Sequence, residues 1–122
     1  MMFNGICLVT RDVGRVRKFY EAVLQTDFNG DDIFAWLESP KGTLSIFSAV
    51  QMEKMAPGSM KDAGYGSYTI EFEVADVDQE FERLKSLGVE VVKEPTTQSW
   101  RRRSFWFRDP DRNIINFYKS LV

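Results

Sequence analysis

The chain has no histidine, and only one cysteine, Cys7, in 122 residues. The missing histidine excludes Ser-His-Asp and Cys-His catalysis, histidine acid–base chemistry and every histidine-containing metal site. A single cysteine cannot close an intrachain disulfide, a pattern that fits a reducing cytosol. No apolar run is long enough to cross a membrane. The first residues, Met1-Met2-Phe3-Asn4-Gly5, lack the basic region and apolar stretch of a secretory signal. There is no basic excess either. Lys and Arg total 16 against 18 Asp and Glu, a net charge of -2, so a nucleic-acid surface is not expected. The expectation is a cytoplasmic protein with neither nucleic acid nor membrane as partner. Hydrophobic residues make up 43% and charged residues 28%, an ordinary globular balance for one domain over residues 1–122. Aromatics reach 14%, with ten Phe and three Trp, enough to fill a core and to line a pocket.

The chain repeats itself. Residues 3–9 alternate like a strand, and Asp12 then stands where it can cap a helix over 12–24. Val13, Val16, Phe19, Tyr20, Val23 and Leu24 carry the apolar stripe of that helix. The alternation returns at Tyr68-Thr69-Ile70-Glu71-Phe72-Glu73-Val74. Asp76 caps a second helix over 76–87, with Val77, Phe81, Leu84 and Leu87 as its stripe and Gly88 to end it. Asp12 and Asp76 are 64 positions apart (76 − 12 = 64), as are Tyr20 and Leu84. Three short strands are expected after each helix, near 27–29, 34–37 and 43–48, then near 89–93, 104–108 and 113–118. The turns Ser39-Pro40-Lys41-Gly42 and Asp109-Pro110-Asp111-Arg112 match at an offset of 70 (110 − 40 = 70). The reading is two βαβββ modules, about 1–50 and 67–122, in an α+β fold. Residues 50–66 join them, carrying Met52, Met55 and Met60 as packing under a linker or as a flap over a ligand.

Strand parity separates two faces. Ile70, Phe72 and Val74 share one face, and Thr69, Glu71 and Glu73 the other. Ile115 and Phe117 oppose Ile114, Asn116 and Tyr118, while Ile6 and Leu8 oppose Gly5, Cys7 and Val9. One apolar and one mixed face per strand is expected when helices cover a single side of a sheet. A curled mixed sheet would then line a U-shaped cup, with helices on its convex side burying Phe19 and Phe72, and such a cup suits a small molecule. In Trp100-Arg101-Arg102-Arg103, alternation sends Arg102 to the face opposite Arg101 and Arg103.

Several stretches together resemble the vicinal oxygen chelate superfamily, which contains glyoxalase I, bleomycin and fosfomycin resistance proteins and extradiol dioxygenases. They are Thr10-Arg11-Asp12-Val13, Lys18-Phe19-Tyr20, Phe72-Glu73-Val74-Ala75-Asp76-Val77 and Leu84-Lys85-Ser86-Leu87-Gly88-Val89. Phe107-Arg108-Asp109-Pro110-Asp111-Arg112-Asn113-Ile114-Ile115-Asn116 completes the set. The resemblance implies paired βαβββ units around a U-shaped cavity, commonly in a homodimer. Metal-dependent members hold the ion with His and Glu on the first and fourth strands of each module. By register those positions here fall on Gly5, Thr69 and Asn116, and on Ile46, or on Ser45 if the turn carries a gap. None is a strong donor, so no metal and no cofactor is expected.

The expected activity is therefore metal-independent binding of a small, possibly aromatic molecule, as bleomycin-type resistance proteins of this fold do. The competing expectation is an enzyme of the lyase, isomerase or dioxygenase type, using Glu71 as a base or a metal site that the register misses. The candidate ligand-binding residues are Cys7, Trp36, Ile46, Thr69, Glu71, Trp100, Arg102, Asn116 and Tyr118, with Phe34 and Trp106 as further walls. Trp100 is expected at the rim, and Arg102 as the cation nearest Glu71.

Overall fold

The computed structural model describes residues 1–64 and 67–122, so the last two positions of the expected linker, 65 and 66, lie outside the described residues. The chain divides into two compact units, Met1–Ala63 and Gly64–Val122. The first contains β1 (Gly5–Thr10), α1 (Val13–Leu24), β2 (Asn29–Gly30), β3 (Phe34–Ser39), β4 (Gly42–Ser48) and α2 (Ala49–Met55). Its sheet runs β1-β4-β3-β2, with β1 and β4 parallel and the other pairs antiparallel. The second contains β5 (Thr69–Glu73), α3 (Val77–Ser86), β6 (Glu90–Thr97), β7 (Arg102–Arg108) and β8 (Ile114–Ser120). Its sheet runs β5-β8-β7-β6, again with the first pair parallel. Both units are βαβββ modules, and the fold is α+β. The parallel pair in each follows from chemistry as much as topology: a strand returning beside the first must cross over through a helix.

Both helices start where an aspartate can accept a backbone N–H. Asp12 Oδ1 accepts from Arg15 N at 3.0 Å, and Asp76 Oδ1 accepts from Gln79 N at 3.1 Å. In α1 the buried stripe is Val13, Val16, Tyr20 and Val23, laid against β3 and β4. In α3 it is Val77 and Leu84, laid against β6, β7 and β8. Gly88, at φ 79°, takes the left-handed position after α3, and its N–H donates to Lys85 O at 3.0 Å.

The inner face of the second sheet is aromatic. Phe105 and Phe107 stack at 5.5 Å, Phe117 meets both edge-on, and Phe81 of α3 closes on Phe105 at 5.3 Å. Two expectations about burial are corrected. Phe19 and Phe72 lie on the helix side but are only half-buried. Tyr20 takes the fully buried place in α1, with Phe19 edge-on to it at 5.3 Å. Phe72 sits in β5, an edge strand, so neighbours cover it from one side and Phe117 meets it at 5.8 Å. The linker is partly helical: Ser48 Oγ caps α2 by accepting from Gln51 N, and Met52 and Met60 are half-buried while Met55 is 74% exposed.

Arg103 leaves β7 on the helix side, as alternation requires. Its Nε and Nη2 donate to the two carboxylate oxygens of Asp78 at 2.8 and 2.7 Å. This hydrogen-bonded pairing holds the Asp78 carboxyl below its ordinary value and raises the Arg103 guanidinium. A depressed carboxyl contributes stability that is present above its unfolded value, near pH 4, and lost as pH falls through its folded value. Asp78→Asn is accordingly expected to lower stability modestly at neutral pH and to flatten the acid limb, so that variant and parent converge as pH falls below about 4. A curve identical to that of the parent would remove the role assigned to this pair.

Candidate functional site

Each sheet presents its mixed face through three directly paired residues. In the first unit these are Cys7 of β1, Ser45 of β4 and Trp36 of β3. In the second they are Glu71 of β5, Asn116 of β8 and Trp106 of β7. The two rows correspond at offsets of 64 for the first strands (71 − 7 = 64), 71 for the last (116 − 45 = 71) and 70 for the tryptophans (106 − 36 = 70). The partner of Asn116 is thus Ser45. Ile46 is a correction: it pairs with Leu8 and Ala35 on the opposite face and is fully buried in the core, because one residue of slip turns a strand side chain over.

The first unit holds a groove of about 470 Å³ along this row. Cys7, Trp36 and Ser45 line it together with Asn4, Phe34 and Thr43. Phe34 and Trp36 stack at 5.5 Å with planes 26° apart, and Phe47 meets Phe34 edge-on at 5.9 Å, so one wall is an aromatic shelf. Cys7 is exposed in this groove. Beside it the polar groups are small and neutral, which suits an apolar or aromatic ligand with few hydrogen bonds.

The mixed face of the second unit is charged. Asn116 Nδ2 donates to Glu71 Oε2 at 3.0 Å, and Arg102 Nη1 stands 3.6 Å from the same oxygen. The Arg102 guanidinium lies over the Tyr118 ring, 3.8 Å from its centre. Lys93 Nζ is 5.3 Å from the centre of the Trp106 ring. Glu71, Arg102, Asn116 and Tyr118 are therefore brought together as expected from parity. Thr69 is on the same face but exposed at the start of β5, one pair away. Trp100 stands in the turn before β7, 64% exposed, and makes no aromatic or cation–π contact among the described residues. Asn116 is only 8% exposed, and its Oδ1, like Trp106 Nε1, is buried without a partner among the described residues. An orphaned buried polar atom costs roughly 1–3 kcal/mol, so such atoms on a candidate site carry information.

Sequence reasoning ranked Ser45 second and missed Lys93. The matching offset of Trp36 and Trp106 was the available signal for Ser45. Lys93 had none, because β6 shifts register on both sides of it.

Against known proteins, the family model described as Glyoxalase/Bleomycin resistance protein/Dioxygenase superfamily matches residues 3–117. The chain belongs to this superfamily. It is 23% identical over 122 residues to the fosfomycin resistance protein FosX of Listeria innocua, covering 98% of this chain and 90% of that one. It is 34% identical over 64 residues to the uncharacterized protein YraH of Bacillus subtilis, a match spanning 52% of this chain and about half (50%) of that protein. Among solved structures, a glyoxalase/bleomycin resistance protein/dioxygenase family enzyme from Burkholderia phytofirmans superposes with a TM-score of 0.85. Its identity is 19%, covering 99% of this chain and 100% of that one, a likeness of fold.

The superfamily's metal chemistry can be tested against the residues present. The first unit offers Gly5 and Ser45 at the ligand positions, the second Thr69 and Asn116. A Cβ built on Gly5 would run into the Thr43 carbonyl oxygen, so a ligating side chain there would require the backbone of β1 to shift. No group of three or more Cys, Asp or Glu is placed to hold an ion among the described residues. The donor set does not fit the metal.

Proposed function

We propose that this superfamily member binds a small, partly aromatic molecule without a metal ion. The observation that carries the reading is Gly5. A first-strand ligand is absent there, and the β1 backbone directs a side chain at Gly5 into Thr43 unless it shifts, while the neighbouring face keeps an aromatic shelf and an open groove. The Listeria relative, a fosfomycin resistance protein, supports a role in handling a small molecule. Trp36 and Phe34 would stack the ligand, with Ser45 and Cys7 beneath it. Protein purified without a histidine tag, which would add the donors the chain lacks, is expected to carry no stoichiometric Zn, Ni, Mn or Fe. Small aromatic compounds are expected to quench tryptophan fluorescence saturably, and Trp36→Phe to remove that response. One metal ion per chain, recovered after dialysis, overturns the reading in favour of a metalloenzyme.

A further inference from the structure

The mixed face of the second unit is built for a different chemistry from the groove of the first. Glu71 and Arg102 form an open ion pair: 3.6 Å separates Nη1 from Oε2, beyond hydrogen-bond length, and the side chains are 48% and 37% exposed. Asn116, nine-tenths buried, pins one carboxylate oxygen through Nδ2 and leaves Oε1 with no partner among the described residues. Tyr118 supports the guanidinium, which lies over its ring, and the Arg102 N–H groups make no hydrogen bond to a described residue. A held carboxylate with one oxygen unpartnered and a held planar donor thus lie side by side, both reachable.

A ligand carrying only a positive charge must compete with Arg102 for Glu71. One carrying only a negative charge must draw Arg102 away from Glu71. A zwitterion does neither. Its ammonium replaces Arg102 at the carboxylate while its carboxylate follows the guanidinium, turning one long contact into two charge-assisted hydrogen bonds with no change in net charge. Resting on the small-molecule reading above, we propose that Glu71 and Arg102 form a dipolar clamp for an α-amino-acid-type zwitterion, with Asn116 and Tyr118 as its positioning residues.

Three matched probes test this: L-phenylalanine, 3-phenylpropionate, which lacks the ammonium, and phenethylamine, which lacks the carboxylate. Titration of the ¹⁵N-labelled protein is expected to shift resonances of Glu71, Arg102 and Asn116, with L-phenylalanine binding about tenfold tighter than either analogue. Glu71→Gln should erase the preference over 3-phenylpropionate, and Arg102→Gln the preference over phenethylamine. Both positions are exposed enough for the variants to fold. The clamp is overturned if L-phenylalanine fails to bind, if it binds no tighter than the better analogue, or if either preference survives its substitution. Shifts confined to Trp36 and Ser45 also overturn it, yet leave the first-unit groove standing as a binding surface. The metal measurement fails or succeeds independently of all three probes.

Discussion

Phe105→Ala is expected to destabilise the second unit by about 3–5 kcal/mol, the range for removing a fully buried aromatic. Phe105 has no exposed surface and contacts Phe81, Phe107 and Phe117 together. Its loss would open a cavity between α3 and the sheet that three rings cannot close without leaving their own positions. A domain of this size has only about 5–15 kcal/mol in total, so the variant stands near the edge of folding. Urea denaturation followed by circular dichroism measures the loss. Phe72→Ala, removing a half-buried ring from an edge strand, is expected to cost about 1–2 kcal/mol under the same conditions. Equal losses from the two variants would mean that the core of this unit is not centred on β7.

The second large effect is expected at Asp109, which is 4% exposed at the turn between β7 and β8. Its Oδ1 accepts from the backbone N–H groups of Asp111 and Asn113, each at 2.9 Å, and its Oδ2 accepts from Asn113 Nδ2 at 2.9 Å. Asp109→Ala strands a buried N–H and a buried amide at once, a loss of about 2–4 kcal/mol. Asp109→Asn keeps an accepting oxygen and should lose less. The matching turn of the first unit is a control within the same chain: Ser39 Oγ only donates to Gly42 O at 2.9 Å, on an exposed surface. Ser39→Ala is therefore expected to fall within about 0.5 kcal/mol of the parent, as surface changes usually do. If Asp109→Ala is equally mild, the turn is held by Pro110 and the backbone rather than by the carboxylate. Because β8 carries Asn116 and Tyr118, a loosened turn would also disturb the face that Glu71 and Arg102 share.

Much of this protein was legible before any coordinates. The two βαβββ modules follow from apolar alternation switching to helical spacing twice, each time at an aspartate that now caps its helix. The mixed faces follow from parity, since the side-chain period of a strand is two, and that placed Glu71, Asn116 and Tyr118 together, while the contact of Arg102 with them is a tertiary one. Local rules of this kind depend only on neighbouring residues. Tertiary structure decided what depends on distant ones. Whether Ser45 or Ile46 lies on the mixed face is set by the pairing of β4 with β1 and β3, a register that an offset of one cannot reveal in a single strand. That Phe72 is half-covered while Phe105 is fully enclosed depends on which strands lie at a sheet edge, and that Tyr20 rather than Phe19 is fully enclosed depends on how α1 is turned against its sheet. The close approach at Gly5 is made by Thr43, a residue 38 positions away (43 − 5 = 38), whose carbonyl stands where a Cβ on this backbone would project. Sequence alone could say that the metal donors were missing; only the pairing of β1 with β4 shows that a side chain at Gly5 would also have to displace backbone.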